Sequence, residues 1–168
     1  MKEKLHIRGG NDGEQTPIHL LLVDDEHSFV EVMSQRLGKR GFMVTVAVSG
    51  QDALNRLEAD ENIEVVILDV KMPGMDGIET LRMIKKNRPL VKIIMLTGHA
   101  TINSAIDAMK LGAFDYLMKP CDLKELVFKV QKAANIKRNH ETKILEARMR
   151  PYISKRDKDR IISRILDS

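Results

Sequence analysis

Four short apolar runs in this chain stop on residues able to do chemistry: LLLV on Asp24-Asp25, VVIL on Asp69, IIML on Thr97 and YLM on Lys119-Pro120. Brought together, three carboxylates repel one another by about 4 kcal/mol per pair at about 4 Å and an effective dielectric of about 20, so a cation has to join them. A hard divalent ion suits an all-oxygen site, and Mg²⁺ takes one or two carboxylates, keeps several waters and completes its shell with phosphate oxygens. Lys119 adds a second positive charge and Thr97 a hydroxyl donor. Such a set is suited to phosphoryl transfer, where catalysis is mostly positioning and charge neutralisation. A carboxylate nucleophile would leave an aspartyl phosphate. Singly the residues say little: Asp-Asp also starts helices, Thr97 is an ordinary β-branched strand residue, and Tyr116 reads equally as a half-buried strand aromatic.

The elements that position these residues follow from periodicity. Short apolar runs predict strands over Ile18 to Val23, Met43 to Ala47, Val65 to Leu68, Lys92 to Leu96 and Tyr116 to Met118. Amphipathic stretches between them predict helices. The first runs over about Ser28 to Lys39, with Phe29, Val32, Met33 and Leu37 on one face and Gly41 as a stop. The second, about Gly50 to Glu58, turns Ala53, Leu54 and Leu57 inward. The third covers about Ile78 to Asn87, with Ile78, Leu81 and Ile84, and ends before Pro89; the fourth covers about Ile102 to Leu111, with Ile102, Ala105, Ile106 and Met109, and stops at Gly112. The fifth starts at an Asp122 N-cap and repeats Leu123, Leu126, Val127 and Val130. Alternating β and α with crossovers long enough for a helix predicts an α/β fold, a doubly wound five-stranded parallel sheet with helices on both faces. Ligands of such sheets bind beyond the carboxyl ends of the strands, where all four polar groups sit.

With the residues set out in this way, LLLVDDE, VVILDVKMPGMDG, IIMLTGHA and GAFDYLMKP resemble, in order and spacing, the receiver domain of two-component response regulators, the chemotaxis regulator among them. The resemblance covers about residues 18–136. It implies a flavodoxin-like strand order 2-1-3-4-5 and phosphoryl transfer to Asp69 from a sensor histidine kinase, a phosphotransfer protein or a small donor such as acetyl phosphate. It also implies that Asp25 binds Mg²⁺ directly, Asp24 mostly through water, and Asp69 and the Lys71 backbone carbonyl as further ligands. Thr97 and Lys119 would hold the phosphoryl oxygens, Pro120 would follow a cis bond, and Tyr116 would be the aromatic that turns inward with Thr97. Lys71, Gly98 and His99 border the same site, and we expect them to set the lifetime of the acyl phosphate. Pro73, Gly74 and Gly77 shape a tight loop after Asp69.

Composition bounds the rest. The chain has 168 residues, 43% hydrophobic and 31% charged, enough for one globular core and too apolar for wholesale disorder. No apolar run approaches the roughly 20 residues of a membrane helix, and the first 17 residues lack the apolar stretch of a secretory signal. A cytoplasmic protein without membrane contact is expected. Cys121 is the sole cysteine, which excludes an internal disulfide and a cysteine zinc cage. The net charge of +4 is uneven: residues 137–168 hold 10 basic and 5 acidic side chains, leaving 18 and 19 in residues 1–136.

Residues 1–17 read as a flexible lead and residues 137–168 as a basic, partly helical extension. In the extension the fifth helix continues over Asn135 to Arg150, with Ile136, Ile144, Leu145 and Met149, until Pro151. A capping box at Ser154 to Asp157 then opens a short helix carrying Ile161, Ile162, Ile165 and Leu166. That helix is expected to dock on its own receiver, on a second copy or on a partner, or else to fray in solvent. No output domain is expected after the receiver. The leading function is a single-domain response regulator whose helix 4–strand 5–helix 5 face changes affinity for an unidentified downstream protein, or for a second copy, on phosphorylation. Two alternatives stand beside it. One is an aspartyl-phosphate phosphohydrolase, although Lys71 occupies the place where those enzymes carry a second aspartate. The other is a transcription regulator acting through the basic tail, which lacks a recognisable DNA-reading motif.

Overall fold

The structure, a computed structural model, describes residues 15–168. The first 14 residues of the expected lead lie outside the described residues. Five strands form a single parallel sheet: β1 (His19–Val23), β2 (Met43–Ala47), β3 (Val65–Leu68), β4 (Lys92–Thr97) and β5 (Asp115–Met118), in the order β2-β1-β3-β4-β5. Helices α1 (His27–Gly38), α2 (Gly50–Ala59), α3 (Gly77–Asn87) and α4 (Ile102–Lys110) make the four crossovers, and α5 (Leu123–Met149) and α6 (Lys155–Leu166) follow the last strand. The α/β doubly wound fold and the strand order agree with the sequence reading.

Pleating sends alternate strand residues to opposite faces, so one apolar run feeds two cores. Leu21, Val23, Val66, Leu68, Ile93 and Met95 pack against α2, α3 and α4 through Ala53, Leu57, Leu81, Ile84 and Ala108. Leu20, Leu22, Val65, Ile67, Ile94 and Leu96 pack against α1 and α5 through Val30, Met33, Leu37, Leu126, Val130 and Ala133. Each fully buried leucine or isoleucine stabilises the fold by about 2 kcal/mol relative to exposure.

Helix starts follow the expected chemistry. Ser49, Asp76, Thr101, Asp122 and Ser154 each accept a backbone N–H of the first turn. At Ser154 the reciprocal bond differs from a capping box: the hydroxyl donates to Asp157 Oδ2 at 2.7 Å.

Two faces depart from the sequence reading. On α1 the buried residue is Val30 and Val32 is exposed, because the sheet lies under the 30–33–37 stripe. On α4 the expected apolar face stays in solvent. Ile102 is 80% exposed, Ile106 and Met109 are also exposed, and Ala108 makes the buried contact. The extension behaves differently again. α5 passes residue 136 without a break and runs 27 residues, with Ile144 and Ala147 buried beyond the sheet.

Candidate functional site at the carboxyl edge of the sheet

Register brings the site together. Val23 of β1 pairs with Leu68 of β3, so the next residues, Asp24 and Asp69, leave the sheet side by side. Leu68 pairs with Met95, which puts Thr97 two residues beyond on β4, and Thr97 pairs with Met118, so Lys119 follows directly. Parallel strands end on the same edge, hence residues far apart in sequence converge.

The three carboxylates offer one oxygen each within 4.8 Å of one another. Asp24 is 1% exposed and Asp69 6%, while Asp25 is open to solvent. Asp69 Oδ1 accepts the Val70 N–H at 2.8 Å. Asp24 Oδ1 accepts the Glu26 N–H at 2.9 Å, and its Oδ2 accepts from Lys119 Nζ at 2.5 Å. Burial pushes the Asp24 carboxyl above its ordinary range and the Asp69 charge pushes the same way, against the Lys119 and Glu26 hydrogen bonds. One ammonium therefore faces three carboxylates, and the negative excess with an all-oxygen donor set fits a hard divalent cation.

Lys119 is held on two further sides. Its Nζ stands 3.9 Å from the centroid of the Phe29 ring and 3.9 Å from Glu26 Oε2. The Lys119–Pro120 bond is cis. Thr97 is fully buried, and its Oγ1 accepts the His99 N–H at 3.1 Å. Tyr116 lies half-buried on β5 with its hydroxyl 2.7 Å from Ser104 Oγ of α4. The side chains of Lys71 and His99 are exposed at the rim, and a Cβ added at Gly98 would meet nothing within 4 Å.

The loop after Asp69 closes back on it. Gly77 N–H donates to Val70 O at 2.7 Å, and a Cβ at Gly77 would overlap the Asp69 carbonyl oxygen and stand 2.7 Å from Val70 Cα. Only glycine tolerates that approach. Phe29, Glu26 and Ser104 were not picked out as site residues from the sequence. Phe29 lies four residues after Asp25, in the first turn of α1, a spacing that marks it in retrospect.

Comparison with known proteins identifies the family to which this fold belongs. The family model described as response regulator receiver domain matches residues 20–131. Regulatory protein AtoC of Escherichia coli is 38% identical over 117 residues, which are 70% of this chain and 25% of AtoC. The DNA-binding transcriptional regulator NtrC of Escherichia coli is 38% identical over 112 residues, 67% of this chain and 24% of NtrC. Among solved structures, a response regulator receiver domain protein from Clostridium thermocellum superposes with a TM-score of 0.69 at 38% identity, covering 72% of this chain and 97% of that one. A CheY-like receiver domain protein from Methanospirillum hungatei gives 0.70 at 28% identity, covering 73% and 98%.

The chain belongs to the response regulator receiver family, whose members are phosphoacceptor signalling modules. It spans about a quarter of the length of the curated relatives it matches.

Proposed function

We propose that residues 18–136 act as a phosphorylation-controlled switch that takes a phosphoryl group on Asp69 from a sensor histidine kinase or a phosphotransfer protein, with residues 137–168 as an appended extension. The observation that carries this reading is the set of three carboxylate oxygens within 4.8 Å of one another, two of the carboxylates buried, with Lys119 bonded to one of them. Asp24, Asp25, Asp69 and the Lys71 carbonyl would hold Mg²⁺, which when bound neutralises the carboxylates and the incoming phosphoryl oxygens.

The chain's own groups account for the remaining chemistry. An Asp69 carboxylate oxygen attacks phosphorus, the O–P bond forms, and the bond from phosphorus to the donor imidazole or acetyl group breaks with the electron pair leaving on the donor. Lys119 transfers its ammonium from Asp24 to a phosphoryl oxygen, and Thr97 turns its hydroxyl to donate to another. That movement vacates space beside β4, into which Tyr116 can swing from its bond with Ser104. The face built from α4, β5 and α5, where Ile102, Ile106, Met109 and Met118 are exposed, then changes its affinity for a downstream protein or for a second copy. To shift populations from 1:99 to 99:1 the phosphoryl group must favour the active state by about 5.5 kcal/mol. Lys71, Gly98 and His99 line the route of attacking water and set the phosphoryl lifetime.

The test is the intact mass after incubation with acetyl phosphate and Mg²⁺. Gain of one phosphoryl group, lost in Asp69→Asn and without metal, is expected; a persistent gain in Asp69→Asn overturns the assignment. NtrC is a DNA-binding transcriptional regulator and AtoC a regulatory protein, which supports a second reading of the output, control of transcription. Salt-dependent DNA binding that disappears on truncation after Ala134 would be its signature.

A further inference from the structure

At the end of the sheet opposite the phosphoryl site, α5 and α6 form a helical hairpin fixed to the α/β body. Arg138 grips Glu64, at the foot of β3, with Nε to Oε2 at 2.6 Å and Nη2 to Oε1 at 2.7 Å, and Nη2 also donates to Thr16 O at 3.0 Å. Lys158 of α6 donates to Arg148 O at 2.9 Å across the hairpin. The mounting is firm, yet α6 is underpacked. None of its residues is buried, Ile161, Ile162 and Ile165 are half-exposed, and Leu166 is exposed with Leu145 and Met149 of α5. A 12-residue helix with so little burial is marginal in water.

Between α6, the second half of α5 and the turn from α3 to β4 runs a groove of about 550 Å³. Leu90, Ile144, Ile162 and Leu166 give it an apolar lining, and Arg88, Lys137 and Arg148 border it. Lys137 is paired with Glu141. Arg88 spends its donors on the neutral carbonyls of Leu57, at 2.5 Å, and Glu61, at 3.0 Å. Among the described residues Arg88 and Arg148 at the groove, and Lys155 and Lys158 of α6 beside it, have no carboxylate partner. Beside the groove Lys85, Lys92 and Lys143 crowd His140, whose pKa is lowered by burial first and then by their charges. This end of the molecule is thus apolar in its trough and carries more positive than negative charge around it, Glu141 being the one carboxylate among the lining residues.

We propose that the groove docks an acidic amphipathic helix of a partner protein, apolar side chains at i, i+3 or i+4, and i+7 filling the trough and flanking carboxylates meeting Arg88, Arg148, Lys155 and Lys158. A third helix completes the packing that two helices leave open. A nucleic acid has no use for the apolar trough, and a membrane would need Ile162 and Leu166 turned outward rather than into it. A second copy would bring the same positive charges face to face. The proposal stands apart from the phosphoryl site and does not depend on it.

The experiment uses the full ¹⁵N-labelled chain and a capped synthetic peptide of about 18 residues with leucines at the stated spacing and glutamates elsewhere. Two control peptides replace every Glu by Lys or every Leu by Ser. Expected is a set of amide shifts confined to 87–91, 137–148 and 158–166, weakened by salt and absent with both controls. Arg148→Glu and Ile162→Ser should each weaken binding by about tenfold. Helix content and Asp69 phosphorylation should be unchanged in both, and Arg148→Glu covers the case in which Ile162→Ser frays α6. Absence of shifts at about 1 mM peptide overturns the proposal. So does equal binding of the Lys peptide, shifts centred on α4 and β5, sedimentation showing a dimer that Ile162→Ser dissolves, or duplex DNA or anionic vesicles displacing the peptide.

Discussion

Replacing Phe29 should slow phosphorylation of Asp69 through its effect on a neighbour, Lys119. The ammonium sits 2.5 Å from Asp24 Oδ2 and 3.9 Å from the Phe29 ring centroid, with Glu26 Oε2 3.9 Å away as a competitor nearer solvent. In the proposed transfer the ring would hold the charge at the mouth of the site once Asp24 releases it. A cation over an aromatic face contributes about 1 kcal/mol when partly desolvated, which corresponds to a rate factor of about five. Phe29→Leu keeps an apolar side chain against α1 and removes the quadrupole, so the rate with acetyl phosphate and Mg²⁺ should fall by about fivefold. Phe29→Tyr should restore it. Leucine also alters packing, so the decisive series carries mono-, di- and trifluorophenylalanine at position 29, nearly constant in shape and progressively weaker in quadrupole. The logarithm of the rate should fall linearly along it. A trifluorinated protein that reacts at the wild-type rate would refute the role given to the ring, while the wild-type protein's own reaction tests the site as a whole.

Other perturbations address separate parts of the molecule. Gly77→Ala drives a Cβ into the Asp69 carbonyl, and should cost about 3 kcal/mol by urea denaturation while displacing the Asp69 loop. Arg138→Ala strands the largely buried Glu64 carboxylate and should cost about 2 to 3 kcal/mol, with faster hydrogen exchange in the second half of α5; protection equal to wild type would show the hairpin is held otherwise. His140 is held below its ordinary 6.5 by burial, then by Lys92, Lys143 and Lys85. The unfolded chain therefore binds a proton at pH values where the fold does not. Stability from this residue is complete above about 6.5 and is lost as the pH falls toward the folded value. His140→Gln should flatten that part of the urea-midpoint profile. Asp25→Ala should weaken Mg²⁺ binding, read by amide shifts at Asp69, without lowering stability, because Asp25 is exposed.

The apolar runs ending in Asp24, Asp69, Thr97 and Lys119 made the sheet and its polar edge legible, because strand period and parallel crossovers force distant strand ends to one side. Helix faces were less legible. Val30 and Val32 are alike in sequence, and only the seat of α1 on the sheet selects Val30 for the core. On α4 an apolar stripe gave no warning that Ala108 alone would be buried, since periodicity records amphipathicity and not which side finds a partner.

The part legible in the residues alone was therefore local and periodic: the strands, the cap at Asp122, the order of the motifs, and so the residue types at the site. Tertiary structure decided what depends on contacts across the chain. The Phe29 ring over Lys119, the Gly77 backbone against Asp69, the Arg138 clasp on Glu64 and the trough beneath α6 each join residues whose spacing carries no period. Such contacts arise only when the packed sheet fixes the distance between elements, and their energy depends on that distance and on the burial around it.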